Sequence, residues 1–396
     1  MKNITWLKSL IATSVLLGIC DAAFSQSGGA LNVTQIVTAG SVPPLYYSLS
    51  GISGEAAKVI QFDLYVQGFA LTNAEGAQFA ISGSSEGNLQ VKVMDKVNPQ
   101  PLVSKAYAGA NLRRQAHAFV DDFMIRLERK PICQTKIAFR GDVGPGVGEI
   151  YVADFDGESA QAVTQDKSLV VAPNWIRGQL ALYYSSYRLN HPDIFYHNLS
   201  TGSRKVFARY GGSNMSPAPS PDGSKVAMIL SKDGWTDLYV CNSDGSGLLR
   251  LTKSKEDESS PCWSPDGKWI CYAGKEQERR RLFKVSPFGG AHQSINTSGM
   301  PNPTEPDWSP DGKLIAFTSQ SRDFSICVTP AEGPGTATKL VDGEDPSWAT
   351  NSRTLIYTRR AGGKLALSLL DVPTKQVKNV LQSSGSSSQS QPSWNR

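Results

Sequence analysis

The tetrapeptide Ser-Pro-Asp-Gly occurs three times in this chain, at 220–223, 264–267 and 309–312. A tryptophan precedes two of the copies, Trp263 and Trp308, and Pro219 holds that place in the first. The pattern continues in eroded form at Trp175 (APNWIRG), Trp348 (DPSWATN) and Trp394 (QPSWNR), with successive intervals of 44, 44, 45, 40 and 46 residues. A period of that length restricts the chain to stacked or radial repeats.

Each unit repeats one order of events. From Pro221, a Pro-Asp-Gly turn is followed by KVAMILS, a polar turn KDGWT, a second segment DLYVCN, the turn SDGSG, a short segment LLRLT, and a polar loop into SSPCWS. Val226, Met228 and Leu230 fall on one side and Ala227 and Ile229 on the other, the period-2 spacing of strands covered on both faces. A helical solenoid needs 3.6 spacing, which these segments lack. Four short strands in about 40–50 residues predict a propeller blade.

The first three-strand set is TKIAFRG, GEIYVADFDG and AQAVT within 135–164, and it lacks a leading strand, while the final QPSWNR lacks a following set. Residues 391–396 are therefore expected to complete the first blade and close a six-bladed β-propeller over 132–396. Closure of this kind leaves no open sheet edge.

Residues 26–131 have a different texture, that of a small α/β domain. GEAAKVIQFDLYVQGF (54–69) and NLRRQAHAFVDDFMIRLERKP (111–131) read as helices, the second with Asn111 as N-cap and Leu112, Ala116, Phe119, Val120, Phe123 and Leu127 on one face. QFAISGS, LQVKVMD and SKAYAG alternate as strands between them. Ahead of this domain, residues 1–25 have a basic start, an apolar run from Leu10 to Ile19 and small residues at Ala23 and Ser25. That is the pattern of a secretory signal peptide cleaved after Ser25, too short for a membrane anchor of about 20 residues. No later stretch is long enough to span a membrane, so a soluble, exported mature chain is expected.

The net charge of +5 includes Lys2, Lys8 and Asp21 of the leader. What remains is weak and dispersed, which argues against nucleic acid. Five cysteines follow the leader, Cys133, Cys241, Cys262, Cys271 and Cys327, an odd number with no CxxC spacing. Neither a disulfide scaffold nor a cysteine zinc site is expected. Cys262 and Cys271 bracket a Ser-Pro-Asp-Gly hairpin, close enough for a bridge. Cys271 also fits the small buried position held by Ala227 and Ala316 in sister units.

The search for chemistry yields little. There is no Gly-x-Ser-x-Gly elbow and no His-Glu-x-x-His, and a hydrolase domain has no room in the chain. His117 reads as a structural residue beside an apolar helix face, and His191 and His197 flank a turn and a strand. DFDGES (154–159) and NSDGSG (242–247) lack the final Glu of a calcium loop and read as tight turns. GDVGPGVG (141–148) joins two strands and opens no helix, so it is no phosphate cradle. KEQERRR (275–281) reads as a solvated hairpin loop. No catalytic residue, metal or cofactor is expected.

Three stretches carry a family resemblance: GANLRRQAHAFVDDFMIRLERKPICQTKIAFR (109–140), GEIYVADFDG (148–157) and the repeated PxWSPDGxxIAF units. Together they resemble the TolB family, exported β-propellers of the Tol–Pal system in the cell envelope of Gram-negative bacteria. The resemblance implies a non-enzymatic periplasmic adaptor that supports outer-membrane integrity and cell division. It implies two partners, a Pal-type peptidoglycan-associated lipoprotein on one propeller face and a TolA-like inner-membrane protein on the N-terminal strand. Here that strand is Gln26 to Val37, with Leu31 and Val33 among its alternating residues. The domain is abbreviated between Phe69 and Gln78.

The loops that lead into each PxW strand become the expected contact surface for the lipoprotein. Their candidate residues are Ser216, Glu258, Ser259, Thr304, Glu305 and Glu344, a polar and acidic set suited to a wet, reversible interface. An alternative from another class is a propeller enzyme acting on oligosaccharide, similar to oligogalacturonate lyases, which requires at least three of the four histidines at the channel. A free-standing propeller that binds another envelope protein is the third reading.

Overall fold

A computed structural model describes residues 41–396; the leader and the strand expected over Gln26 to Val37, with Leu31 and Val33, lie outside the described residues. The chain folds into six four-stranded sheets arranged as a propeller, preceded by one five-stranded α/β layer. This is the fold class the repeat period predicts.

In the N-terminal layer, β1 (Leu45–Ser50), α1 (Gly54–Tyr65), β2 (Phe69–Leu71), β3 (Phe79–Ser84), β4 (Gln90–Asp95), β5 (Gln100–Ala106) and α2 (Leu112–Arg126) follow in chain order. The sheet order is β2-β1-β3-β4-β5, with β1 parallel to both β2 and β3. A parallel pair needs a crossover, and α1 supplies it between β1 and β2. Asn111 caps α2 as expected, its side chain accepting the Arg114 N–H at 2.9 Å. Ala116, Phe119, Val120 and Phe123 are fully buried. The helix stops at Arg126, short of Pro131: Glu128 turns left-handed (φ 57°), and the Asp121 carboxylate then holds the N–H groups of Ile132 (3.1 Å) and Cys133 (2.8 Å).

Blade 1 is assembled from Ser388–Trp394, Lys136–Gly144, Val147–Asp154 and Gln161–Ala162, in that order from the channel outward. The chain's last strand thus closes the ring, and it begins three residues before the expected 391. Blades 2 to 6 occupy 170–208, 214–250, 259–294, 303–342 and 344–379. The Ser-Pro-Asp-Gly turns are alike in three blades. Ser220, Ser264 and Ser309 donate to Asp222, Asp266 and Asp311 at 2.5, 2.6 and 2.7 Å, and each serine oxygen accepts the backbone N–H five residues on. Gly223, Gly267 and Gly312 take φ of 71–79°, where a side chain is strained.

A separate buried apolar cluster fills each of five seams between neighbouring blades. The sixth cluster differs. Between blades 6 and 1, Ile356, Leu367 and Leu369 meet Ile137, Phe139 and Trp394, and the same core runs without a break into α1, α2 and the N-terminal sheet. At roughly 1.5–3 kcal/mol for each large side chain fully buried, this seam anchors the N-terminal layer. Three of the five repeated tryptophans stitch the blades: the indole N–H groups of Trp175, Trp263 and Trp348 donate to Ser393 O, Ala218 O and Asp307 O of the preceding blade at 3.1, 2.8 and 3.1 Å, whereas Trp308 donates to Gly312 O of its own turn and Trp394 to Thr135 Oγ1.

Candidate functional site: the channel mouth

Every innermost strand runs from its leading loop on one face of the propeller to its tryptophan position and turn on the other. The tryptophan-end face is occupied at blades 1 and 6. There Thr350 Oγ1 donates to Pro131 O (2.9 Å), Thr354 Oγ1 to Val66 O (3.1 Å) and Gln376 Nε2 to Phe69 O (3.0 Å). Beneath them lies a buried ion pair, Arg353 Nε to Asp371 Oδ1 at 2.5 Å and Nη2 to Oδ2 at 2.8 Å. Gly68 passes so close to it that a Cβ would stand 2.0 Å from Arg353 Nη2. The N-terminal layer therefore sits on this face, and the leading loops lie on the opposite one.

At the start of each innermost strand one non-glycine residue adopts a left-handed backbone: Ala172, Ser216, Ser260, Glu305, Asp345 and Gln391, with φ between 50 and 56°. Each precedes a proline, namely Pro173, Pro217, Pro261, Pro306, Pro346 and Pro392. The strand pairing shifts register at all six places. The shift explains the prolines, since a bulge is where a sheet tolerates a residue without an N–H. A left-handed conformation before proline is a costly local state, and its sixfold recurrence marks a constraint shared by the whole channel. These residues and the strands below them line a central cavity of ≈ 270 Å³.

Around part of the ring the side chains of these residues hold the next blade. Glu305 Oε2 accepts the Asp345 N–H (3.1 Å), Asp345 Oδ2 accepts the Gln391 N–H (3.1 Å), and Gln391 Oε1 accepts the Ala172 N–H (3.0 Å). Thr318 and Thr358 brace the two carboxylates, donating to Glu305 Oε2 at 2.6 Å and Asp345 Oδ2 at 2.9 Å. Burial, then the neighbouring Glu305, pushes the Asp345 carboxyl well above the usual carboxylate range. The far end of the channel is basic. Arg396 pairs there with Asp307 across the position of blade 6, and burial together with Arg396 lowers the Arg177 guanidinium.

Of the sequence-predicted residues, Ser216 and Glu305 stand in this ring and line the cavity. Ser259, Thr304 and Glu344 come immediately before it: Ser259 accepts from Arg280 (3.2 Å), and Glu344 pairs with Arg360 (2.8 Å). Glu258 turns inward. It is 5% exposed, accepts from Ser254 (2.6 Å) and Thr252 (3.2 Å), and is pushed by burial up to about 7. Sequence reading missed Asp345 and Gln391. Aligning the residue before the proline in APNW, SPAP, SPCW, EPDW, DPSW and QPSW would have found both.

The four histidines stand apart from the cavity lining. His191 pairs with Asp193 (3.0 Å), His197 contacts the Tyr184 hydroxyl (3.3 Å), and His292 contacts Tyr272 (2.7 Å). His117 lies at the junction of the N-terminal layer and blade 1: its Nδ1 is 2.7 Å from Asp63 and its Nε2 3.6 Å from Asp156. Asp63, His117 and Cys133 gather donor atoms within 4.8 Å, but Asp63 and His117 already bond directly, and Gln67 donates to Cys133 Sγ (3.4 Å). This cluster reads as a polar joint. No oligosaccharide-cleaving cluster of channel histidines is present among the described residues.

The geometry defines a closed six-bladed propeller with an α/β layer fixed to one face and a polar channel mouth on the other. The family model "TolB beta propeller domain" matches residues 128–396, and the chain belongs to that family. It is 29% identical over 187 residues to the Tol-Pal system protein TolB of Desulfosudis oleivorans, covering 45% of this chain and 42% of that protein. A second TolB, from Anaeromyxobacter dehalogenans, is 31% identical over 160 residues, or 39% of this chain and 36% of that one. The match spans less than half the length of these curated relatives. The crystal structure of TolB from Acinetobacter baumannii superposes with a TM-score of 0.80 at 19% identity, covering 89% of this chain and 97% of that one. No helix among the described residues is long and apolar enough to cross a membrane.

Proposed function

We propose that this chain is a non-enzymatic periplasmic adaptor of the Tol–Pal system. In this reading residues 1–25 are a cleaved leader, 26–131 an α/β domain and 132–396 the propeller. The open channel face docks a Pal-type peptidoglycan-associated lipoprotein, and the segment Gln26 to Val37, including Leu31 and Val33, engages a TolA-type inner-membrane protein. Ser216, Ser259, Thr304, Glu305 and Glu344 contribute to the lipoprotein interface, together with Asp345.

The observation that carries this reading is the channel mouth opposite the N-terminal layer. It presents polar and acidic side chains on a backbone fixed by six bulges, so docking there costs little ordering of the receptor. Its polarity suits an interface that forms and releases repeatedly. The names of the curated relatives support the choice of system.

The test is binding of the exported chain to an immobilised Pal-type lipoprotein domain. Ser216→Arg and Thr304→Arg are expected to weaken binding about tenfold or more, with the fold retained. Equal binding by wild type and both variants removes the channel mouth from the interface; no binding by wild type removes the Pal-type partner. Deleting residues 26–37 is expected to abolish binding to a TolA-type domain and to leave the lipoprotein bound.

A further inference from the structure

Cys262 and Cys271 are direct cross-strand partners in the first hairpin of blade 4. Directly opposed residues of an antiparallel pair stand about 4.5–5.5 Å apart at Cα, inside the range of about 4.4–6.8 Å that a disulfide spans. Both are free thiols in this structure and belong to one buried cluster. The fold itself does not ask for sulfur at this register. The equivalent pairs are Asn174 with Tyr183, Ala218 with Ala227, Asp307 with Ala316, Ser347 with Ile356, and Ser393 with Ala138.

The remaining thiols of the described residues are engaged elsewhere. Cys133 accepts from Gln67, Cys327 contacts Met300 Sδ at 3.5 Å, and Cys241 belongs to the seam between blades 2 and 3. The two partners also differ in access. Cys262 forms part of the channel wall, two residues below Ser260 of the left-handed ring, whereas Cys271 is fully buried behind it.

We infer that Cys262 and Cys271 form a dithiol–disulfide couple, closed to a cross-strand disulfide in the exported protein. The inference goes beyond adaptor function and rests only on the export part of the reading above. The oxidant is a disulfide-bearing donor, small molecule or protein. The Cys262 thiolate attacks one donor sulfur and releases one donor thiol as a mixed disulfide forms. The Cys271 thiolate then attacks Cys262 Sγ and expels the second donor thiol. Two protein thiols and one donor disulfide become one protein disulfide and two donor thiols, which carry the two protons. Burial pushes the Cys262 thiol well up, so closure of the folded chain is slow at neutral pH and quickens as pH rises.

The test uses full-length protein expressed with its own leader and denatured in alkylating reagent without reductant. Trypsin cuts after Lys255, Lys268 and Lys275, which places the two cysteines on separate peptides, 256–268 and 269–275. The expected result is one joined species that separates on reduction, with Cys133, Cys241 and Cys327 alkylated. Full alkylation of both peptides in leader-cleaved protein overturns the inference. An uncleaved leader in the same digest shows instead that export failed; purified chain is then incubated with glutathione disulfide, and absence of the joined species overturns the couple on its own. Reductant is expected to lower the thermal midpoint of the joined form by a few degrees and to leave a Cys262→Ala, Cys271→Ala double variant unmoved.

Discussion

The channel ring is built in two ways. From blade 5 through blades 6 and 1 to blade 2, Glu305, Asp345 and Gln391 each hold the backbone of the next blade. From blade 2 through blades 3 and 4 to blade 5, Ala172, Ser216 and Ser260 stand in the same places and make no such side-chain bond. All six share the left-handed backbone, so the bulge sets the conformation, and the side chain only decides whether a seam is tied. The tied half coincides with the seam that carries the N-terminal layer, while the untied half leaves short side chains at the open face.

The largest contrast is expected at Asp345. Asp345→Ala removes the acceptor of the Thr358 hydroxyl and one of the two acceptors of the Gln391 N–H and is expected to cost about 2–3 kcal/mol, whereas Ser260→Ala stays within about 0.5 kcal/mol. Chemical denaturation of both variants measures the difference; equal losses would show that the two halves are equivalent. Gly68→Ala comes next at about 2–3 kcal/mol, because its Cβ meets the Arg353–Asp371 pair and its φ of 86° disfavours a side chain. Faster proteolysis confined to 41–131 is the expected signature.

Glu258 brings pH into the untied half. Burial holds its folded-state value at about 7 against an ordinary 4.5. Between those values the folded chain keeps a proton that the unfolded chain has lost, so stability falls as pH rises through the window. Asp345, raised by burial, acts with the same sign. Glu258→Gln is expected to recover about 2 kcal/mol of the loss at pH 8 and to change little at pH 4; parallel urea titrations at the two pH values report it. Gln391→Ala is the smallest effect, about 1 kcal/mol for an Ala172 N–H left without its acceptor.

The blades were legible because a buried tryptophan, replaced by Pro219 in one blade, and a tight turn recur at the same place in each unit, and few residue types satisfy either demand. The α2 cap and its apolar face were legible for the same reason, since Asn111 and the Phe119–Phe123 spacing are dictated locally. The end of α2 was not, because Asp121 draws the chain back through contacts made after the turn. At the site, Ser216 and Glu305 could be reached as polar residues of leading loops. Glu258 came from the same loops yet folds inward, since its partners Ser254 and Thr252 lie on a turn whose course composition does not reveal. Asp345 and Gln391 act by reaching a neighbouring blade, a relation visible only once six strands are set around one axis.

Blade 1 joins Ser388–Trp394 to Lys136–Gly144 across about 250 intervening residues. During synthesis from the N-terminus onward, the Lys136 edge emerges early and waits for its partner strand while the other blades take shape. For that interval it is an unpaired template, the kind that captures the same strand from a second molecule. The seam that makes the finished ring most secure is therefore its point of greatest exposure while the ring is being made, and exchanged dimers are the error this architecture invites.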